Sequence, residues 1–104
     1  MSNPNYVAGR NLEYEYKKQL EKEGFLTLRT AGSHGPFDLI GIRGNMPIQL
    51  VQCKRVSTVR EANRIIEKFK ANPPLPLMGD GTHYVQSIVV KVKGDRVLRE
   101  AFAI

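Results

Sequence analysis

Pro36-Phe37-Asp38-Leu39-Ile40-Gly41-Ile42, followed after a short turn by Ile48-Gln49-Leu50-Val51-Gln52-Cys53-Lys54, is the stretch that decides how this chain folds. Both halves are rich in strand-forming apolar residues, and Arg43-Gly44-Asn45 between them has the composition of a tight turn. They read as adjacent strands over 37–42 and 48–55. Side chains alternate across a strand. Asp38, Ile40 and Ile42 then share one face of the first strand. Ile48, Leu50, Gln52 and Lys54 share one face of the second, with Gln49, Val51 and Cys53 behind. An aspartate beside two isoleucines, and an apolar face that ends in an amide and an amine, both depart from an ordinary core strand. A polar group buried without a partner costs kilocalories.

Upstream, residues 6–23 predict a helix, with Leu12, Tyr16 and Leu20 recurring every four positions and Gly24 as a C-terminal stop. Residues 25–30 form a short strand, and Ala31-Gly32-Ser33-His34-Gly35-Pro36 is a turn. Downstream, residues 59–70 predict a second helix with Ala62, Ile65, Ile66 and Phe69 on its apolar face. Asn72-Pro73-Pro74-Leu75-Pro76 ends it and opens a loop running to about Thr82. Strands at 85–92 and 97–103 follow, joined at Lys93-Gly94-Asp95. The order is α-β-β-β-α-β-β, an α/β fold with a mixed central sheet flanked by two helices.

A chain of 104 residues fits one domain. A core this small favours pairing with a second copy. No run of about 18 apolar residues exists to cross a membrane, and Met-Ser-Asn-Pro-Asn lacks the apolar centre of a signal peptide. The single cysteine, Cys53, excludes an internal disulfide and a cysteine-rich zinc site. These features predict a cytoplasmic protein. The formal charge is +6, and such a chain favours polyanions because neutralising phosphates releases counterions. The surplus is concentrated: residues 54–70 hold six basic side chains against two acidic ones. Arg60, Arg64 and Lys68 fall on one helical face, roughly opposite the apolar one, as a solvated face or a ridge that tracks phosphates.

On the first helix, taken at about 100° per residue, Glu13 falls at the edge of the inward stripe beside Leu20, whereas Glu15 lies off it. Glu13, Asp38 and Gln52-x-Lys54 are separately weak signals, each compatible with a boundary residue, a strand-initial cap or a face running into solvent. Together they form the set that phosphodiester hydrolysis needs. Oxygen ligands hold Mg²⁺ or Mn²⁺, the metal acidifies a water, and a lysine orients that water or stabilises the transition state.

These residues, with Gly9-x-x-x-Glu13-x-Glu15, Leu20-Glu21-Lys22-x-Gly24-Phe25, Arg29-Thr30-Ala31-Gly32-Ser33 and Pro36-Phe37-Asp38-Leu39, resemble the archaeal Holliday-junction resolvases of the PD-(D/E)xK nuclease superfamily. The likeness covers roughly residues 8–58. It implies a restriction-endonuclease-like fold, a homodimer, and divalent-metal-dependent cutting of four-way DNA junctions. It also implies roles: Glu13 and Asp38 as metal ligands, the Cys53 main-chain carbonyl as another, Lys54 as the catalytic lysine, and Arg29 and Ser33 at substrate phosphates. Arg10, His34, Arg55, Arg60, Arg64 and Lys68 are further candidate DNA contacts. The Cys53 side chain is expected to face away from the site as a core packer. The sequence departs from the family at Gln52, which stands where the family has glutamate, so a ligand there is neutral. The rival readings are another small nuclease of the superfamily, acting on flaps, mismatches or a restriction-type site, and a DNA-binding module that no longer cuts.

Overall fold

The computed structural model describes residues 4–30, 35–75 and 83–103, with side chains from Asn11 onward. Its elements are α1 (Pro4–Lys22), β1 (Leu26–Arg29), β2 (Leu39–Ile42), β3 (Ile48–Val56), α2 (Val59–Ala71), β4 (Tyr84–Val92) and β5 (Arg99–Ala103). The order is the expected one. Ser33 and His34 lie outside the described residues, as does the Arg10 side chain.

The capping chemistry explains where the helices stop. Gly24, at φ +94°, takes the left-handed turn after α1. The Phe25 N–H donates to the Leu20 carbonyl and the Gly24 N–H to the Glu21 carbonyl, both at 3.0 Å. This double closure, with Phe25 packed near Leu20, swings the chain from helix into β1. At the start of α2, Thr58 Oγ1 accepts the Glu61 N–H at 3.2 Å.

The five strands form one sheet in the order β1-β2-β3-β4-β5. All neighbours are antiparallel except β3 and β4, and α2 makes the crossover that their parallel pairing requires. The helices cover opposite faces. Leu12, Tyr16 and Leu20 of α1 pack on Phe25, Leu39, Val51 and Val89. Ala62 and Phe69 of α2 pack on Val56, Ile88, Val90, Val92, Ala101 and Ala103. Val89 lies on one face and its neighbours Ile88 and Val90 on the other, as strand alternation requires.

One reading of the faces needs correction. The even-numbered side of β2 and β3 is not the deeply buried one: Ile42 and Ile48 are 42% and 40% exposed, while Leu39 and Val51 are sealed. The reason is coverage. α1 lies across β1 to β3, whereas α2 reaches β4, β5 and β3. Leu26, Leu28, Ile42, Met46 and Ile48 therefore remain exposed, and the pairs Leu26 with Ile42 and Leu28 with Ile40 keep this strip continuous.

Candidate active site

The site is built where β2 begins. Two hydrogen bonds from Thr30 pin the neck of the turn before it. Thr30 N–H donates to the Asp38 carbonyl at 3.0 Å, and Thr30 Oγ1 donates to the Phe37 carbonyl at 2.6 Å. The Asp38 N–H donates to the Val51 carbonyl at 2.8 Å. Asp38 therefore stands one residue before the β2 ladder, although the sequence predicts a strand from Phe37. The antiparallel register pairs Leu39 with Val51, so carried one residue further it sets Asp38 opposite Gln52.

β3 runs on past the start of β2, and the Asp38 side chain occupies that edge. Its Oδ2 accepts the Cys53 N–H at 2.8 Å. A strand residue presents its N–H and C=O to the same neighbour. The Cys53 carbonyl thus opens toward Asp38, where a carbonyl ligand is expected.

Glu13 arrives from α1. Its side chain is 19% exposed. Arg29, at the end of β1, donates to Glu13 Oε2 from Nε at 3.2 Å and from Nη2 at 3.0 Å. The Glu13 carboxyl is raised above its usual range, chiefly by burial, with hydrogen bonding to Arg29 opposing and the nearby Asp38 adding to the rise. Asp38 contributes to that rise through its negative charge, so the two carboxyl groups lie near one another although they come from different elements. Glu15, off the stripe, pairs instead with Lys91 of β4 at 3.5 Å.

Gln52 and Lys54 are brought together on the other side of the sheet. Their partners in β4 are Ile88 and Val90, so both belong to the α2 face. With Ile65, Lys68, Phe69, Asn72, Pro74 and Ile88 they line an open pocket of about 370 Å³. Arg60 and Arg64 flank a second hollow at the start of α2, with Thr58 and Glu61. Arg55 pairs in register with Lys91 and so falls on the α1 face, away from the row on α2. Asp38 lies between the two groups, near Glu13 on one side and in register opposite Gln52 on the other.

Two features were missed in the sequence or read the other way. Tyr14 is exposed and outside the helix stripe, yet its hydroxyl accepts from Arg29 Nη1 at 3.1 Å, and Arg29 Cζ lies 4.6 Å from its ring centroid. Only its place next to Glu13 could have drawn notice. The Cys53 side chain does pack against the α1 core, but it does not face away from the carboxylates. Burial, then Asp38, then Glu13 push its thiol far up. The cause is alternation: Gln52 and Lys54 share the α2 face, so Cys53 must take the face of Glu13.

The donor chemistry fits a hard divalent cation: two adjoining carboxylates, a main-chain carbonyl on the same edge and an amide across the register. Among the described residues no three His, Cys, Asp or Glu side chains converge. Beyond the carboxylate pair, the candidate ligands Gln52 and the Cys53 carbonyl are therefore neutral. Among the described residues no helix is long and apolar enough to cross a membrane.

No family model matches the chain. A crossover junction endodeoxyribonuclease Hjc from Methanocaldococcus jannaschii is 38% identical over 55 residues, which are 53% of this chain and 40% of that protein. The chain thus aligns with less than half the length of this relative. The 1.6 Å structure of Archaeoglobus fulgidus Hjc, a Holliday junction resolvase, superposes with a TM-score of 0.53 at 20% identity, over 92% of this chain and 71% of that one. The restriction-endonuclease-like architecture expected from the sequence is the one found. Over about half its length in sequence this chain is similar to an archaeal Hjc, and over nearly all of it in fold it is similar to the Archaeoglobus fulgidus Holliday junction resolvase structure.

Proposed function

We propose that the chain is a divalent-metal-dependent endonuclease that hydrolyses phosphodiester bonds of branched DNA, four-way junctions above all. The observation that carries this reading is the Asp38 carboxylate on the Cys53 N–H at the edge of β3, with Glu13 nearby, Gln52 opposite Asp38 in register and Lys54 two residues beyond.

Glu13, Asp38, the Gln52 amide oxygen and the Cys53 carbonyl would hold Mg²⁺ or Mn²⁺. The metal supplies acidification of a water and neutralisation of charge on the phosphate. Lys54, exposed on the α2 face, provides a positive donor for the attacking water or the phosphate oxygens. Lys68 joins it in the same pocket, and Arg60 and Arg64 extend the positive row along α2. This row suits the duplex arms of a junction, whose backbone contacts position the substrate.

The reading includes a pair of copies, each cutting one strand. The exposed strip of Leu26, Leu28, Ile42, Met46 and Ile48 supports it. The strip carries no charge on a chain of net +6, which suits a like-charged second copy and does not suit DNA. Beside it, β1 is an open sheet edge.

Incubating the protein with a labelled four-way junction and with matched linear duplex, with and without Mg²⁺ or Mn²⁺, tests the proposal. Paired incisions in the junction that need metal are expected. Gln52 favours one rival, a module that binds DNA without cutting; it predicts a metal-independent shift of the junction and no incision. Equal cutting of linear duplex would point to another nuclease type.

A further inference from the structure

We propose that Tyr14 and Arg29 form a clamp that sets the orientation of Glu13 toward Asp38, which makes both of them positioning residues for the carboxylate pair. The inference rests on the reading of that pair as a metal holder.

The geometry is specific. Tyr14 directly follows Glu13 on α1, and adjacent helical side chains diverge by about 100°. Arg29 comes from the end of β1 and occupies the space between them. Nε and Nη2 both donate to Glu13 Oε2, at 3.2 and 3.0 Å. Nη1 donates to the Tyr14 hydroxyl at 3.1 Å, and Cζ lies 4.6 Å from the ring centroid. Every nitrogen of the guanidinium therefore has a protein partner.

The two bonds to Glu13 end on one oxygen, so Oε1 is left out of the Arg29 pair. The carboxylate is held but not covered. Without the clamp, repulsion between Glu13 and Asp38 favours a Glu13 rotamer turned toward water, because the two negative groups gain by separating. Arg29 offsets that repulsion, and Tyr14 holds Arg29 from the far side. Groups that orient metal ligands in this way are commonly worth about ten- to a hundredfold in metal affinity.

This differs from the role expected of Arg29 at a substrate phosphate. A phosphate contact would leave the metal site of the free protein untouched when it is altered. A clamp acts before DNA arrives.

The test is Mn²⁺ binding to the full chain without DNA, measured by calorimetry for the natural protein, Tyr14→Leu, Tyr14→Phe and Arg29→Lys. Arg29→Lys keeps the positive charge and removes the fork. Tyr14→Leu keeps Arg29 and removes both of its supports. Circular dichroism and thermal melting confirm that each variant is folded. Both variants should bind Mn²⁺ about tenfold more weakly at similar melting temperature, with Tyr14→Phe between them and the natural protein. Unchanged or tighter Mn²⁺ binding in Tyr14→Leu and Arg29→Lys would overturn the clamp. If Arg29→Lys also lost junction affinity in that case, Arg29 would be the phosphate contact instead. A natural protein that binds no Mn²⁺, and does not differ in this from Asp38→Asn, would overturn the metal reading itself.

Discussion

The Asp38 carboxylate accepts the main-chain N–H of Cys53 at 2.8 Å, so a side chain fills the place of a ladder partner just where β2 gives out. The same aspartate adjoins Glu13. It therefore has a structural duty and a chemical one, and substitutions should separate them. Asp38→Asn keeps an oxygen for Cys53 and loses the charge; metal-dependent cleavage should vanish with little change in thermal stability. Asp38→Ala loses both and should also cost about 1–2 kcal/mol, read by denaturant unfolding. Equal stability of the two variants would show that the hydrogen bond contributes nothing.

Lys54 and Lys68 line one pocket but should behave differently. Lys54→Ala should abolish junction cleavage and leave affinity nearly intact, because the phosphate-contacting surface is far larger than one side chain. Lys68→Ala should retain cleavage at saturating protein, weaken binding, and reduce the slope of log affinity against log salt by about 1. A Lys54→Ala protein that cuts at the natural rate would remove this lysine from the chemistry.

Gln52, opposite Asp38 in register, offers a neutral oxygen to a metal that two carboxylates would hold. Fewer negative ligands mean weaker attraction for a divalent cation, so the natural protein should need high metal and work better with Mn²⁺ than with Mg²⁺. Gln52→Glu should lower the metal concentration for half-maximal cleavage. If that concentration does not move, Gln52 is not a ligand.

Gly24 stands at φ +94°, and a Cβ there would lie 3.2 Å from Arg43 Nε. Arg43 is a flexible side chain that can withdraw, so the backbone conformation sets the cost. Gly24→Ala should destabilise the fold by about 1–2 kcal/mol in urea unfolding, through the left-handed turn alone. An unchanged midpoint would mean that the α1 terminus relaxes into another cap.

The assembly reading predicts a mass twice that of the monomer by sedimentation at micromolar protein. Replacing Leu26 and Leu28, 64% and 50% exposed, by serine should yield folded monomers, since neither is needed for the core. A monomeric natural protein would refute the pairing, and a dimer that survives both changes would move it to another surface.

Much of this architecture was legible in local pattern. The stripe of Leu12, Tyr16 and Leu20 and the stop at Gly24 are written in residues within one or two turns of each other, and helix periodicity and capping are local physics. The same holds for Ala62 and Phe69 on α2, and for Glu13 being less exposed than Glu15. Strand alternation correctly grouped Gln52 with Lys54 and separated both from Cys53. What alternation does not specify is the element that covers each face. Only the packing of α1 over β1 to β3 made Leu39 and Val51 the sealed side, left Ile42 and Ile48 half open, and turned Cys53 toward the carboxylates. The Tyr14–Arg29–Glu13 arrangement belongs to the same class. Arg29 is 16 residues from Glu13 in sequence, and their hydrogen bonds exist because the turn at Gly24 folds β1 back along α1. The chain therefore specified the helix stripe and the strand faces on which the candidate side chains stand, while the three-dimensional coverage of the sheet decided which of them come together.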